Sequence, residues 1–215
     1  ATGKFGERWQ DIYDAYTPAC GFRQIKLDVP WGEAMDPSQL EQTLREHPGV
    51  SAVVVVHSET STATSCDLEE IARIVRARSH AMLIVDGITS VGSLPLEMDR
   101  WGVDAVVCGS QKAFMLPPGL GFVALGKRAL ERLNEAQNFP GFSLDLRRWL
   151  HSWKSRDVPF TPPVNLIRAL RVALELIENE GLKNVWARTS RLAEVTRTTL
   201  GVMALELVSS HPSDS

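Results

Sequence analysis

Three short apolar runs in this sequence each end in polar residues that could take part in chemistry. The groups that follow them are His57-Ser58-Glu59-Thr60-Ser61-Thr62, Asp86, and Ser110-Gln111-Lys112. Short apolar runs of this kind are typical of buried strands in a parallel sheet. The carboxyl ends of parallel strands form the ligand crevice of such a sheet. We therefore expect these three groups of side chains to lie at one edge of a sheet.

Lys112 and Asp86 are the pair with the clearest chemical use. A lysine that follows an apolar strand is expected to lie in partly apolar surroundings, where desolvation favours the neutral amine. A neutral amine condenses with an aldehyde to form an imine. An aspartate at the neighbouring strand end can hold a pyridine nitrogen protonated, so that the ring accepts electrons. With hydroxyl and amide donors nearby, the pair predicts a site for pyridoxal phosphate.

Each of these residues also has a structural interpretation. A lysine after a strand is most often a solvated loop residue, and an aspartate there is often a turn former or a helix cap. His57 fits a hydrogen-bonded structural histidine better than a catalyst. Cys108 lies in an apolar run and is more typical of a core residue than of a nucleophile. The spacing favours the cofactor site but leaves these alternatives open.

The segments between the polar groups must position the strand ends. Amphipathic stretches alternate with the apolar runs, which is the pattern of βα units around a largely parallel sheet. We predict an α/β fold, with a mostly parallel sheet flanked by helices. The predicted strands are 50–57, 81–85, 103–108 and 121–125, and the predicted helices are 37–46 with Asp36 as N-cap, 67–78, 127–134, 164–180 and 183–200. Residues 139–163 form a connector rich in Pro and Trp.

Composition excludes several classes of partner. The chain has 215 residues, of which 44% are hydrophobic and 23% charged, and its formal net charge is −3. These values are typical of a soluble globular protein. Without a Lys/Arg run we expect no nucleic-acid partner, and without an apolar run of about 20 residues we expect no membrane span. Three cysteines without C-x-x-C spacing argue against a disulfide or a zinc site and favour a cytoplasmic location.

Four motifs in this sequence carry a family resemblance. Asp104-x4-Gly109-Ser110-Gln111-Lys112-x6-Gly119-x-Gly121, with Pro117-Pro118 before Gly119, resembles the lysine-attachment signature of the class V aminotransferases. Three further blocks resemble family blocks in the same order: 57–62, 84–90 and 159–164. Within the family, the sequence looks most like the alanine–glyoxylate, serine–pyruvate and serine–glyoxylate aminotransferases.

The resemblance implies a large domain of pyridoxal-phosphate fold type I. It also implies transfer of an amino group between a small amino acid (alanine or serine) and a 2-oxo acid (glyoxylate or pyruvate). Lys112 would form the internal aldimine and act as the base of the 1,3-proton shift, and Asp86 would pair with the pyridinium nitrogen. Thr60 would lie near the ring hydroxyl and Gln111 at the phosphate. Thr161 would reach the phosphate of the partner subunit's cofactor, so a homodimer is expected.

The same resemblance predicts the domain organisation. Residues 1–160 would be part of the cofactor-binding large domain, and residues 161–215 would be connecting helices and the start of a small domain. The chain is therefore expected to be truncated at both ends. Its first block, Gly3 to Trp9, resembles a segment well inside the family domain. At the other end, the apolar stretch 204–208 is expected to be the first strand of a further unit. The family's substrate-binding arginine is expected in the missing part.

Two positions depart from the family pattern. Ala63 stands where the family often has glycine, which predicts an altered turn. Ser143 stands where the family usually has an aromatic residue.

Other functions compete with transamination. A lyase or epimerase of the same family is the nearest alternative, and an inactive remnant that serves as a dimerisation or binding module is another. A phosphate-binding loop at Gly121-x4-Gly126-Lys127 is disfavoured because Arg128 replaces the Ser or Thr that such a loop needs. A hydrolase that uses Ser110 and Lys112 is disfavoured because no G-x-S-x-G motif is present.

Overall fold

The computed structural model of the protein describes residues 2–136 and 139–209. The helices in these ranges are α1 (Lys4–Cys20), α2 (Pro37–Glu46), α3 (Leu68–Arg78), α4 (Met98–Trp101), α5 (Lys127–Glu135), α6 (Leu146–Lys154), α7 (Val164–Glu180) and α8 (Leu182–Val202). The strands are β1 (Ala52–Val56), β2 (Ser58–Glu59), β3 (Thr64–Ser65), β4 (Met82–Asp86), β5 (Ala105–Gly109) and β6 (Gly121–Leu125).

Four of these strands form one sheet in the order β1-β4-β5-β6. Strands β1, β4 and β5 are parallel, and β6 runs antiparallel to β5. The register pairs Asp86 with Val56 on one side and with Val107 on the other. The predicted α/β fold with a mostly parallel sheet is confirmed, and Asp86 lies at the carboxyl end of a strand that has a neighbour on both sides.

Helices α2 and α3 begin where the sequence predicts. Asp36 caps α2 by accepting a hydrogen bond from the Ser38 N–H at 2.8 Å, and Asp67 caps α3 by accepting one from the Glu70 N–H at 2.9 Å. Such caps satisfy backbone donors that the first helical turn leaves unpaired. Both predicted helices are confirmed. They could be predicted because each cap residue lies next to the N–H groups that it binds.

The hydrophobic core lies between these two helices and one face of the sheet. Leu83 and Val85 of β4 are almost fully buried, and they pack with Leu44 of α2 and Leu68 and Ile71 of α3. Side chains of a strand alternate between its two faces. Asp86 therefore points to the face opposite Val85.

The predicted connector at residues 139–163 contains a helix that the sequence did not predict. This helix is α6, whose N-cap Asp145 accepts a hydrogen bond from the Arg147 N–H at 3.0 Å. The strand predicted at residues 204–208 is wrong, because these residues belong to neither sheet of the described chain. A strand without a hydrogen-bonded partner is not stable in water.

Helix α1 has no counterpart among the predicted elements. Its hydrophobic pattern is weak, and Gly6 is its one buried residue. The helix ends at Gly21, whose φ of 66° is left-handed and whose N–H donates to the Thr17 carbonyl at 2.8 Å. Because little of α1 is buried, its position depends on the few contacts that it makes with the sheet.

No helix within residues 2–136 and 139–209 is both long and apolar enough to cross a membrane. Helices α7 and α8 pack against each other. A domain boundary after residue 160 stays a prediction, as does the cytoplasmic location.

Candidate active site

Asp86 lies at the centre of the sheet edge and is partly buried. Its Oδ1 accepts a hydrogen bond from the Ile88 N–H at 3.0 Å, and its Oδ2 accepts one from the Trp9 indole N–H at 2.7 Å. Each carboxylate oxygen has a second lone pair, so the group can accept further hydrogen bonds. The carboxylate is thus oriented by two donors and can still bind a third.

Lys112 follows the neighbouring strand β5 by three residues and is exposed in a turn. Its carbonyl accepts a hydrogen bond from the Met115 N–H at 2.9 Å, and Met115 has a left-handed φ of 59°. Because Lys112 is exposed, the burial that was expected to desolvate its amine is not found within the described residues.

Ser110 holds the loop that carries Lys112. It is fully buried, and its hydroxyl donates to the Pro117 carbonyl at 2.8 Å and accepts from the Leu120 N–H at 3.2 Å. The Ser110 N–H also donates to the Leu120 carbonyl at 3.1 Å. These bonds tie the two ends of the loop together, and a hydroxyl engaged in this way has a structural role.

The loop that carries Lys112 also packs on helix α7. A Cβ added at Gly119 would lie 2.6 Å from Leu166 Cδ1, and Gly119 has a positive φ of 145°. Thr161 is exposed in the segment just before this helix. The structure brings the Lys112 loop to the start of α7, and the expected approach of Thr161 to a partner subunit's cofactor stays a prediction.

Gln111 is exposed but folds back over the end of β5. A Cβ added at Gly109 would lie 2.8 Å from Gln111 Oε1 and 2.7 Å from Ile88 Cδ1. Both groups therefore border the same small space at Gly109. Ile88 is the residue whose N–H holds Asp86, so Gln111 and Asp86 share this edge of the sheet.

The turn between β2 and β3 contains Thr60, whose side chain is exposed. The Thr89 hydroxyl, in the loop after β4, donates to the Ser58 carbonyl at 3.0 Å. This bond ties the loop that follows β1 to the loop that follows Asp86. The structure thus brings the neighbourhoods of Thr60, Asp86 and Gln111 to one sheet edge.

Ala63 lies in the same turn and has a left-handed φ of 54°. Glycine adopts this conformation without strain, whereas a residue with a Cβ loses roughly 1–2 kcal/mol. The turn therefore keeps its left-handed conformation with alanine at position 63, and the backbone there is strained.

Glu59 anchors helix α1 to the sheet edge. Its carboxylate is fully buried and accepts hydrogen bonds from the Phe5 N–H at 3.1 Å and the Gly6 N–H at 2.9 Å. The Ser61 hydroxyl accepts from the Lys4 N–H at 2.9 Å and donates to Glu59 Oε1 at 2.5 Å. A carboxylate at a helix N-terminus satisfies free N–H groups and interacts favourably with the helix dipole. Glu59 thereby sets where α1 begins.

His57 is buried at the end of β1. Burial lowers the pKa of His57 from 6.5 to about 4, and the negative charge of Asp67 opposes this shift. Its Nδ1 has no hydrogen-bond partner, and its backbone N–H donates to the Asp86 carbonyl at 3.0 Å. The imidazole is buried and neutral, but its Nδ1 lacks the hydrogen bond that was expected of a structural histidine.

Cys108 is a half-buried residue of β5. Burial raises the pKa of the Cys108 thiol to about 11, and the negative charge of Asp86 adds to the shift. The thiol is therefore protonated at neutral pH and is a weak nucleophile. The interpretation of Cys108 as a structural residue agrees with this.

Spacing in the sequence did not single out Trp9 or the capping role of Glu59. Trp9 is 77 residues from Asp86, and Glu59 is 53 residues from Gly6. The resemblance of residues 3–9 to a family block was the one available signal, and it does not say which strand the tryptophan reaches.

The side chains at this edge fit pyridoxal phosphate by their chemistry. An amine on the loop of one strand suits the cofactor's aldehyde, and a carboxylate at the next strand end suits its ring nitrogen. The Gln111 amide and the Thr60 hydroxyl are groups that can donate hydrogen bonds to oxygen atoms of such a cofactor.

Comparison with known proteins assigns the family. The profile of the family Aminotransferase class-V matches residues 19–212. The chain therefore belongs to the class V aminotransferases. It is 37% identical over 213 residues to the L-aspartate–glyoxylate aminotransferase of Paracoccus denitrificans, covering 98% of this chain and 52% of the relative. It is 42% identical over 208 residues to a soluble hydrogenase small subunit of a Synechococcus strain, covering 95% of this chain and 53% of the relative.

Solved structures agree with the family. An alanine–glyoxylate aminotransferase from Nostoc is similar with a TM-score of 0.87 and 33% identity, covering 96% of this chain and 54% of that one. The architecture is that of the fold type I aminotransferases, as the resemblance implied. The chain spans about half the length of the curated relatives it matches.

Proposed function

We propose that the protein carrying this chain is a pyridoxal-phosphate-dependent aminotransferase. It transfers an amino group from a small amino acid, alanine or serine, to a 2-oxo acid, glyoxylate or pyruvate. The observation that carries the proposal is that Asp86 ends β4 and Lys112 follows the neighbouring parallel strand β5 in a class V family member. Relatives named serine–glyoxylate and L-aspartate–glyoxylate aminotransferase support glyoxylate as the acceptor.

Lys112 and Asp86 have separate tasks in this proposal. Pyridoxal phosphate, when bound, supplies an aldehyde that takes up the amino group and a ring that stabilises negative charge. The Lys112 amine would hold the cofactor through its aldehyde. Lys112 Nζ would also be the general base that takes the proton from the substrate's α-carbon. Asp86 would hold the protonated ring nitrogen by accepting its hydrogen bond.

The other predicted residues bind the cofactor and orient it. Gln111 contributes its amide at the phosphate, and Thr60 its hydroxyl near the ring oxygen. Thr161 binds the phosphate in the partner subunit, so the proposed site belongs to a homodimer.

Exposed apolar side chains near the Lys112 loop and in residues 142–153 support a two-fold partner. Met115 is 61% exposed and Trp153 is 78% exposed, and soluble monomers rarely expose large apolar patches. Phe160 instead packs on Phe142 and Trp149 of its own chain, at ring-centroid distances of 5.9 and 5.7 Å. Much of the Phe160 side chain is therefore covered by its own chain and is not available to contact a partner subunit.

Borohydride reduction in the presence of pyridoxal phosphate tests the assignment of Lys112. Peptide mass spectrometry should place the pyridoxyl group on Lys112, and Lys112→Ala should abolish labelling. Lys127→Ala is the matched control, because Lys127 is 90% exposed on α5 and lies outside the site. Labelling spread over surface lysines would count against the assignment.

Absorbance then separates the alternatives. Addition of alanine or serine should bleach the cofactor band, and glyoxylate should restore it. Release of ammonia or a racemised amino acid would instead indicate a lyase or an epimerase. A protein with no cofactor band would be a remnant with a binding role.

A further inference from the structure

We propose that Trp9 is a positioning residue for Asp86, through the hydrogen bond from its indole N–H to Oδ2. This inference rests on the proposed function, because it concerns how Asp86 meets the ring nitrogen of the cofactor. The N···O distance of 2.7 Å is at the short end for an N–H donor. Hydrogen bonds to an ionised acceptor are shorter and stronger than those between neutral groups.

The two hydrogen bonds of Asp86 differ in origin. The Ile88 N–H lies two residues along the same chain segment, and its bond to Oδ1 closes a local turn. Trp9 belongs to helix α1, and its bond to Oδ2 comes from a residue 77 positions away in the chain. A single bond leaves a carboxylate free to rotate about it, whereas two bonds from different directions set its plane. Trp9 therefore decides the direction in which the remaining lone pairs point.

The anchoring of α1 explains how Trp9 reaches its position. Glu59 and Ser61 bind the N–H groups of Lys4, Phe5 and Gly6, the first turn of the helix. Trp9 follows Gly6 by three residues and so lies about one turn further on, on the same side of the helix. The cap formed by Glu59 of β2 and by Ser61 thus fixes the rotation of α1 that presents the indole to the end of β4.

The consequence for the cofactor is a preoriented acceptor. A carboxylate already held in one plane meets the ring N–H without losing rotational freedom on binding. Without the indole, the carboxylate can turn towards water and its contact with the ring nitrogen weakens. Removal of a hydrogen bond to a charged group typically changes an equilibrium by about 10-fold or more.

The test compares Trp9→Phe with Trp31→Phe in the whole protein. Trp31 is 55% exposed in the segment before α2 and serves as the matched control. Absorbance titration should show about 10-fold weaker binding of pyridoxal phosphate for Trp9→Phe. With ring-¹⁵N-labelled cofactor, the nitrogen signal of Trp9→Phe should move towards that of neutral pyridine. Trp31→Phe should match the parent in both measurements. A purely structural role for Trp9 would not move the ring signal.

Unchanged affinity and an unchanged ring signal in a folded Trp9→Phe protein would overturn the positioning role while the proposed function stands. Parent protein that binds no pyridoxal phosphate would overturn the proposed function itself. If Trp9→Phe does not fold, the indole N–H signal of Trp9, assigned in the protein without cofactor, decides the matter. It should shift upfield in Asp86→Asn, and an unshifted signal would overturn the inference.

Discussion

Glu59, fully buried in β2, accepts a hydrogen bond from the Gly6 N–H of helix α1 at 2.9 Å. The two residues are 53 positions apart in the chain. Only Gly6 of α1 is buried, so this hydrogen bond is one of the few contacts that hold the helix at the sheet edge where the proposed site lies.

Glu59→Gln should therefore destabilise the protein by about 1–2 kcal/mol, because a neutral amide is a weaker acceptor at a helix N-terminus. The change should also loosen Trp9 and make its indole N–H exchange faster. Urea unfolding and hydrogen exchange would measure the two effects. Glu69→Gln is the control, because the Glu69 side chain is 57% exposed. An equal loss of stability in both variants would argue against a capping role.

Ala63→Gly should stabilise the protein by about 0.5–1 kcal/mol. The left-handed backbone at Ala63 costs roughly 1–2 kcal/mol with a Cβ, and the greater chain entropy of glycine in the unfolded state offsets part of the gain. Ala187→Gly, at an exposed position inside α8, should instead destabilise by about 1 kcal/mol. Denaturant midpoints measure both, and destabilisation by Ala63→Gly would show that the strain is absent.

The stability of the protein should fall with acid through His57. Its pKa is about 4 in the folded protein and 6.5 in the unfolded chain, so between these values only the unfolded state binds the proton. Stability is therefore complete above pH 6.5, declines as the pH falls towards 4, and levels off below. A shift of this size corresponds to about 3 kcal/mol. Denaturant unfolding from pH 7.5 to 4 should show this slope, and His57→Gln should lack it. An identical slope in both proteins would assign the acid sensitivity elsewhere.

Asp86→Asn should slow the half-reaction with alanine or serine by about 10²–10³-fold, while the cofactor still attaches to Lys112. A neutral amide cannot hold the ring nitrogen protonated, so the stabilisation of negative charge is lost. Stopped-flow absorbance measures the half-reaction, and borohydride labelling measures the attachment. Asp99→Asn, at an exposed position on α4, is the control and should react at the parent rate. A parent-like rate for Asp86→Asn would make Asp86 a structural residue only.

Sedimentation equilibrium should show a dimer of the protein, with or without pyridoxal phosphate. Met115→Glu should weaken it by placing a charge in an apolar interface, where desolvation is costly. Lys127→Glu changes a charge at a side chain that is 90% exposed and should leave the dimer intact. A parent protein that stays monomeric at high concentration would mean that the composite site with Thr161 does not form.

Helices α2 and α3 were predictable from the chain because their signals are local. Asp36 and Asp67 stand next to the N–H groups that they cap, and the buried face of α3 repeats at helical spacing. The parallel sheet followed from the alternation of apolar runs with amphipathic stretches. The position of Asp86 at the end of β4 was likewise predictable, because a charged residue ends the run of apolar residues that a buried strand requires.

The contacts that orient the site were not predictable in this way. The bonds of Glu59 to Gly6 and of Trp9 to Asp86 join residues 53 and 77 positions apart, and no periodicity relates them. Helix α1 exposes most of its surface, so its hydrophobic pattern is too weak to place it. The exposure of Lys112 depends on how the loop held by Ser110 leaves the sheet, and the missing strand at 204–208 depends on whether another segment pairs with it. Local sequence decides where an element begins and ends, because caps and periodicity act within a few residues. Packing between distant segments decides which side chains meet, because those contacts exist only once the chain has folded.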